Sequence, residues 1–174
     1  MEPIIIDEKE YKILGCVYYG DPFHSAKGWD PNNEIRNTWN RFYQLYKKYE
    51  EFLKKSKAGN EFGFEIHIEP GDYMKRRKFH IFVGIEVKNL DFFPLDMFYK
   101  ALPKTKYLFF STEYKGKGCD FIFSKWIPES DYEQSYPYII QSYSPERWKG
   151  EENQDSLMDW YIPIKKIEMN KNDF

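Results

Sequence analysis

The segment from Glu61 to Glu69 constrains the fold more than any other part of the sequence, because its side chains alternate strictly. Phe62, Phe64, Ile66 and Ile68 form one set, and Gly63, Glu65, His67 and Glu69 form the other. A period of two indicates a strand with one buried face. A second strand, Phe79 to Val87, follows the basic run Lys75 to Lys78. We therefore predict a hairpin whose solvated tip is this run, rather than a phosphate contact.

The segment before this hairpin has the period of a helix. Asn32 or Asn33 can cap its start, and the lysines of its later half suit the negative C-terminal end. Gly59 and Asn60 end it. Its apolar stripe consists of Ile35, Trp39, Phe42, Tyr43, Tyr46, Tyr49 and Leu53.

The order of elements along the chain is β-α-β-β, repeated once. Extended segments at Ile4 to Ile6 and Tyr11 to Tyr19 precede the helix and the hairpin. The second series, after a connection bracketed by Pro94 and Pro103, comprises the strand Thr105 to Tyr114, a short helix at Cys119 to Trp126, and strands at Pro137 to Tyr143 and Leu157 to Ile167. We predict an α+β fold of tandem βαββ modules, with antiparallel sheets, helices and a ligand cleft between the halves. Residues 1–168 would form one domain with halves at about 1–90 and 103–168, followed by a polar tail at 169–174.

Composition narrows the function classes. Aromatic residues make up 20% of the 174 residues, which favours a globular core although the hydrophobic fraction is only 41%. A net charge of -2 argues against direct nucleic-acid binding. The chain shows no signal peptide and no membrane span, so we expect a cytoplasmic protein with Cys16 and Cys119 as free thiols. Metal, nucleotide and serine-hydrolase motifs do not occur, so we expect no metal and no cofactor.

Short phrases in a fixed order carry a resemblance to a known family. They are Tyr11–Gly15, Asn37–Phe42, Phe62–Phe64, Val83–Val87, Leu102–Tyr107, Trp126–Tyr132 and Trp160–Lys165. Together they resemble the GyrI-like small-molecule-binding family, the effector-binding domain of AraC-type regulators, here as a stand-alone member. The resemblance implies two βαββ modules around an aromatic cleft. It also implies one buried glutamate that attracts cationic, lipophilic drugs.

Gln141 stands where the resemblance implies that glutamate. The family phrase Phe-Glu-x-Tyr corresponds here to Ile140–Tyr143. An amide donates and accepts hydrogen bonds but carries no charge, so a neutral, hydrogen-bonding ligand is expected. The hydrolysis of reactive compounds that the resemblance implies for members with the acid is not expected of Gln141, which cannot act as a general base.

The candidate ligand-binding residues combine this resemblance with the aromatic pattern. Trp39, Phe110, Trp126 and Trp160 have the core as an alternative location. Glu65 is expected to be solvated on the polar face of its strand, but if it is aimed into the cleft it supplies the charge that Gln141 lacks. The full set is Trp39, Tyr43, Phe64, Glu65, Phe110, Trp126, Gln141, Tyr143 and Trp160.

Three functions remain open at the level of sequence. The first is a binding protein that sequesters or senses a small aromatic or lipophilic molecule, with any DNA-binding partner on another chain. The second is a hydrolase that pairs Glu65 with Tyr43 or Tyr143. The third is a protein-interaction role, such as topoisomerase inhibition, through the acidic stretch from Glu146 to Asp159, for which a solvated loop is the alternative.

Overall fold

Seven strands form one antiparallel sheet in the computed structural model, which describes residues 2–24, 32–114 and 118–168. The strands are β1 (Ile4–Gly20), β2 (Gly63–Ile68), β3 (Phe79–Glu86), β4 (Phe98–Glu113), β5 (Tyr132–Gln134), β6 (Tyr138–Tyr143) and β7 (Leu157–Lys166). The helices are α1 (Glu34–Lys48), α2 (Glu50–Ser56), α3 (Tyr73–Arg76) and a π-helical turn at Ile122–Trp126. No helix within the described ranges is long and apolar enough to cross a membrane.

The strand order repeats one connectivity twice. The first unit pairs β1 with β3 and β3 with β2, and the second unit pairs β4 with β7 and β7 with β6. Pairings of β1 with β4 and of β2 with β6 join the two units, so the sheet closes on itself, and β5 adds to β7. The predicted α+β fold class with an antiparallel sheet is confirmed.

Each face of this sheet buries its own core. Tyr11 and Ile13 of β1 pack on the inner face with Phe64 and Ile66 of β2. Leu14 of β1 faces the other way and packs with helices α1 and α2. Alternation along one strand thus supplies two cores, as the pleat requires.

Helix α1 begins at the cap that the sequence predicts. The Asn33 side chain accepts from the backbone N–H of Arg36 at 3.0 Å, and Glu34 lies in the positive first turn. The single predicted helix is nevertheless two helices that meet at Tyr49. The break directs Leu53 of α2 into the core, where it is fully buried.

Strands β1 and β4 are longer than the sequence predicts. The two predicted extended segments of β1 are one strand, interrupted only by register shifts around Lys9. Strand β4 runs through Pro103, which was expected to close a connection. Pro103 lies where the register with β1 shifts between Leu102 and Thr105, so its missing N–H costs no ladder hydrogen bond.

The hairpin tip, the short helix and one short strand differ in detail from the prediction. The basic run at the hairpin tip is exposed as expected, although Lys75 and Arg76 belong to helix α3. The predicted short helix is largely a π-helical turn, since Ile127 N–H bonds to the carbonyl of Ile122. The three-residue strand β5 carries no alternating pattern, and the polar tail at 169–174 lies outside the described residues.

An ion pair between the partly exposed Arg147 and the buried Asp159 attaches the loop after β6 to β7. Arg147 donates to both carboxylate oxygens of Asp159 at 2.7 to 2.9 Å, and Ser111 donates to the same carboxylate at 2.6 Å. Asp159 is 1% exposed, so the acidic stretch Glu146 to Asp159 does not present this residue to a partner. The hydrogen bonds to Asp159 raise the pKa of Arg147.

We predict that Arg147→Ala lowers the free energy of unfolding by about 3 kcal/mol, because it leaves the Asp159 carboxylate buried without its cation. Urea denaturation measures this change. Lys165→Ala, which removes the cation of the exposed Lys165–Glu133 pair, is the matched control and should leave the midpoint almost unchanged. Equal midpoints for the two variants would contradict the structural role of Arg147.

Candidate functional site

A cavity of about 790 Å³ lies where the two βαββ units meet. Helix α1 and strand β2 supply its walls from the first unit. Strands β6 and β7 supply them from the second unit, together with Tyr114, residues 118–120, Trp148 and Glu151. This volume is in the range of sites for drug-sized molecules.

Six of the nine predicted ligand-binding residues line this cavity. They come from four separate elements that the fold brings together, namely α1, β2, β6 and β7. The six are Trp39, Tyr43, Glu65, Gln141, Tyr143 and Trp160.

The other three predicted residues lie outside the cavity. Phe64 precedes Glu65 on the same strand, so the pleat turns its side chain to the opposite face, where it packs against Tyr11. Phe110 stacks on Trp160, with ring centroids 6.1 Å apart, and belongs to the core behind that ring. Trp126 packs beside Tyr132 at the edge of the same core. These three residues are therefore not part of the candidate site.

Glu65 is the central polar group of the cavity, and the expectation that it is solvated is wrong. It is only 4% exposed. The indole Nε1 of Trp39 donates to its Oε2 at 2.6 Å, and the hydroxyl of Tyr143 lies 3.4 Å from the same oxygen. The Nε2 atom of His67 lies 2.7 Å from Oε1. The indole and the hydroxyl donate to this carboxyl group, and the imidazole lies within hydrogen-bonding distance of its other oxygen.

A close approach of helix to sheet makes the Trp39–Glu65 hydrogen bond possible. The ring of Trp39 lies over Gly63, at the start of β2. A Cβ atom at this glycine would lie 2.7 Å from Cη2 of the indole, which is closer than a van der Waals contact. Gly63 therefore provides the space that lets the indole reach Glu65.

Gln141 is the cross-strand partner of Glu65. The two residues are paired in the register of β2 with β6, so their side chains share one face. Gln141 is 8% exposed, and its Oε1 lies 3.5 Å from the hydroxyl of Tyr143. Burial, together with the nearby carboxylate of Glu65, raises the pKa of Tyr143 well above its ordinary value, so this hydroxyl remains a hydrogen-bond donor.

Aromatic rings form much of the remaining wall. Tyr143 meets Trp39 and Trp148 edge-on, with centroids 5.2 and 4.8 Å apart. Trp148 in turn meets Tyr114 edge-on at 4.8 Å. Such a wall offers several ring faces to an aromatic or cationic guest.

Sequence reasoning missed His67, Trp148 and Tyr114 as site residues. His67 carried a signal, because the period of two that places Glu65 on one face places His67 on the same face. Trp148 lies in a loop and carried none. Its position follows from the neighbouring Arg147, which the buried Asp159 holds in place.

Charged side chains of both signs line the cavity. Arg36 of α1 and Glu151 of the facing loop form an ion pair of 3.0 Å, and both side chains are about half exposed. Asp120 and Glu65 add two further carboxylates. Three carboxyl groups thus share the cavity with one guanidinium and with the imidazole of His67, which lies 2.7 Å from Glu65. Within the described part of the chain, no three His, Cys, Asp or Glu side chains are placed to hold a metal ion.

Solved structures share this fold at low sequence identity. SAV2435 bound to tetraphenylphosphonium matches with a TM-score of 0.60 and 14% identity, over 100% of both chains. The integron cassette protein VCH_CASS2 from the mobile metagenome of Vibrio cholerae matches with a TM-score of 0.56 and 12% identity, over 94% of this chain and 95% of that one. EcmrR in its complex with DNA matches with a TM-score of 0.57 and 9% identity, over 95% of this chain and 57% of EcmrR.

The fold and the cavity define a small-molecule effector-binding domain, and the resemblance to the GyrI-like proteins is confirmed. Residues 5–164 match the family model Cass2, described as integron-associated effector binding protein, so the chain belongs to this family. The search of curated proteins gave no match.

We predict that Gly63→Ala lowers the free energy of unfolding by about 1–3 kcal/mol, because the added methyl group displaces the indole of Trp39. Chemical denaturation measures this loss, and tryptophan fluorescence should shift with it. Gly71→Ala is the matched control, since nothing lies within 4 Å of the Cβ position at Gly71. The proposed role of Gly63 fails if the two variants are equally stable.

A second prediction concerns Cys119, whose thiol lines the cavity. Burial raises its pKa to about 11, so the reactive thiolate is scarce at pH 8. We expect iodoacetamide to modify Cys119 on the order of a hundredfold more slowly than a thiol of ordinary pKa. Mass spectrometry over time gives the rate, and Cys119→Ser identifies the modified site. Reaction as fast as that of a free cysteine would show that the thiol is not desolvated.

Proposed function

We propose that this chain binds an aromatic, lipophilic cation in the cavity and that Glu65 is the counter-charge. The observation that carries the proposal is the buried carboxylate of Glu65, held by the indole of Trp39 and faced by aromatic rings. A cation placed there gains both the attraction of the carboxylate and cation–π contact.

The proposal revises the neutral ligand expected from Gln141. The sequence places an amide where the family resemblance implies the acid, but Glu65 lies opposite it on the adjacent strand. The same part of the cavity therefore contains a carboxylate. Further support comes from SAV2435, a protein of the same fold whose structure contains tetraphenylphosphonium.

We also propose that occupancy of the cavity is used as a signal. The description of the family as effector binding supports this use, and so does the occurrence of the fold in EcmrR, whose structure contains DNA. Sequestration of the compound, without a signal, is the alternative. Binding of the ligand is common to both uses and is therefore the property to test first.

We predict that tetraphenylphosphonium binds the natural protein and that Glu65→Gln weakens this binding by about tenfold to a hundredfold. Loss of a charge several ångströms from the ligand in a partly shielded site accounts for this range. Isothermal titration calorimetry gives the dissociation constants. Triphenylphosphine oxide, a neutral compound of similar shape, should lose much less affinity on the same substitution.

Glu69→Gln is the matched control, because it removes an exposed carboxylate close in sequence to β2 and outside the wall of the cavity. It should bind tetraphenylphosphonium like the natural protein. An equal loss of affinity for tetraphenylphosphonium in both glutamine variants would show that the effect comes from the overall charge of the protein and not from the position of Glu65. No binding of either compound by the natural protein would refute the proposed function and favour the protein-interaction role.

A further inference from the structure

Gln141 has a hydrogen-bonding group that the protein itself does not use. Its side chain is more than nine-tenths buried and lines the cavity. Its Oε1 atom is the end that faces the Tyr143 hydroxyl, at 3.5 Å. Among the described residues, no group accepts a hydrogen bond from its Nε2 atom. The free end of the amide is therefore a donor directed into the cavity.

The Nε2 atom of Gln141 is open to the cavity, because it is not one of the fully buried polar atoms that lack a hydrogen-bond partner among the described residues. The backbone pairing of β6 with β2 fixes the position of Gln141, so its side chain cannot move far to find a partner. An acceptor for this donor therefore comes from the contents of the cavity, which are water in the empty protein and a polar atom of the ligand in the occupied one.

The position of Gln141 also determines where on a ligand this acceptor belongs. Gln141 and Glu65 are directly opposite each other in the register, and such side chains begin about 4.5–5.5 Å apart. A ligand whose cation lies at Glu65 can therefore reach the Gln141 amide only with an atom close to its charged centre.

We propose that Gln141 determines specificity, and that the cavity selects aromatic cations with a neutral hydrogen-bond acceptor, such as a carbonyl oxygen, beside the charged centre. This inference rests on the proposed function. Glu65 recognises the charge, while the amide of Gln141 donates to the adjacent oxygen. Cations without such an acceptor, including tetraphenylphosphonium, bind without accepting a hydrogen bond from the amide of Gln141.

A matched pair of compounds tests this selectivity. Trimethyl(2-oxo-2-biphenyl-4-ylethyl)ammonium contains a ketone beside its cationic group, and trimethyl(2-biphenyl-4-ylethyl)ammonium has a methylene in its place. Calorimetry on the natural protein should show that the ketone binds about three- to tenfold more tightly, the increment of one neutral hydrogen bond.

Two substitutions at Gln141 should abolish this preference. Gln141→Met keeps the size of the side chain and removes the donor, so the ratio of the two affinities should fall to one or below. Gln141→Glu also has no donor, so it should lose the preference for the ketone while binding the methylene compound at least as tightly as the natural protein. Thermal unfolding identifies a variant that does not fold.

Gln44→Leu is the matched control, because Gln44 lies on the exposed part of α1 and outside the cavity wall. It should keep the ratio of the two affinities that the natural protein shows.

The outcomes separate this inference from the function on which it rests. Glu65→Gln should weaken both compounds by a similar factor and leave their ratio unchanged. If both compounds bind and Glu65→Gln weakens them, but the ratio is the same with and without Gln141, the inference is overturned while the proposed function stands. If neither compound binds the natural protein, both are overturned.

Discussion

The carboxylate of Glu65, accepting the indole hydrogen of Trp39, is the interaction on which the site depends. It joins helix α1 to strand β2 across the cavity. A carboxyl group at 4% exposure needs hydrogen-bond partners for its oxygens, and Trp39 of α1, Tyr143 of β6 and the imidazole of His67 on β2 lie within hydrogen-bonding distance. The bonds that keep the charge buried therefore also hold the walls of the cavity together.

In the proposed function, Glu65 supplies the charge that the family resemblance implies at position 141. The family resemblance implies an acid at position 141, and this chain has glutamine there. Because β2 and β6 are antiparallel neighbours, position 65 lies directly opposite and on the same face. The acid at position 65 and the amide at position 141 therefore line the same part of the cavity.

The fold could be predicted in outline because its signals are local. Alternation defined β2, the cap at Asn33 began α1, and the order of elements gave the two βαββ units. The errors occurred where the local pattern is weak or misleading. Charged residues hid the continuity of β1, Pro103 suggested a break that a register shift accommodates, and the bend at Tyr49 serves the burial of Leu53.

The sequence by itself determined the fold class, the family resemblance and six of the residues that line the cavity, because periodicity and short motifs assign side chains to faces. Only the tertiary structure decided which faces enclose the cavity. Glu65 and Phe64 illustrate the difference, since alternation separates them but does not say which of the two faces water. Pairing with β6 and coverage by Trp39 bury the polar face as well, and this places an apparently solvated glutamate in the wall of the cavity. Those contacts join residues far apart in the chain, so no local pattern could reveal them.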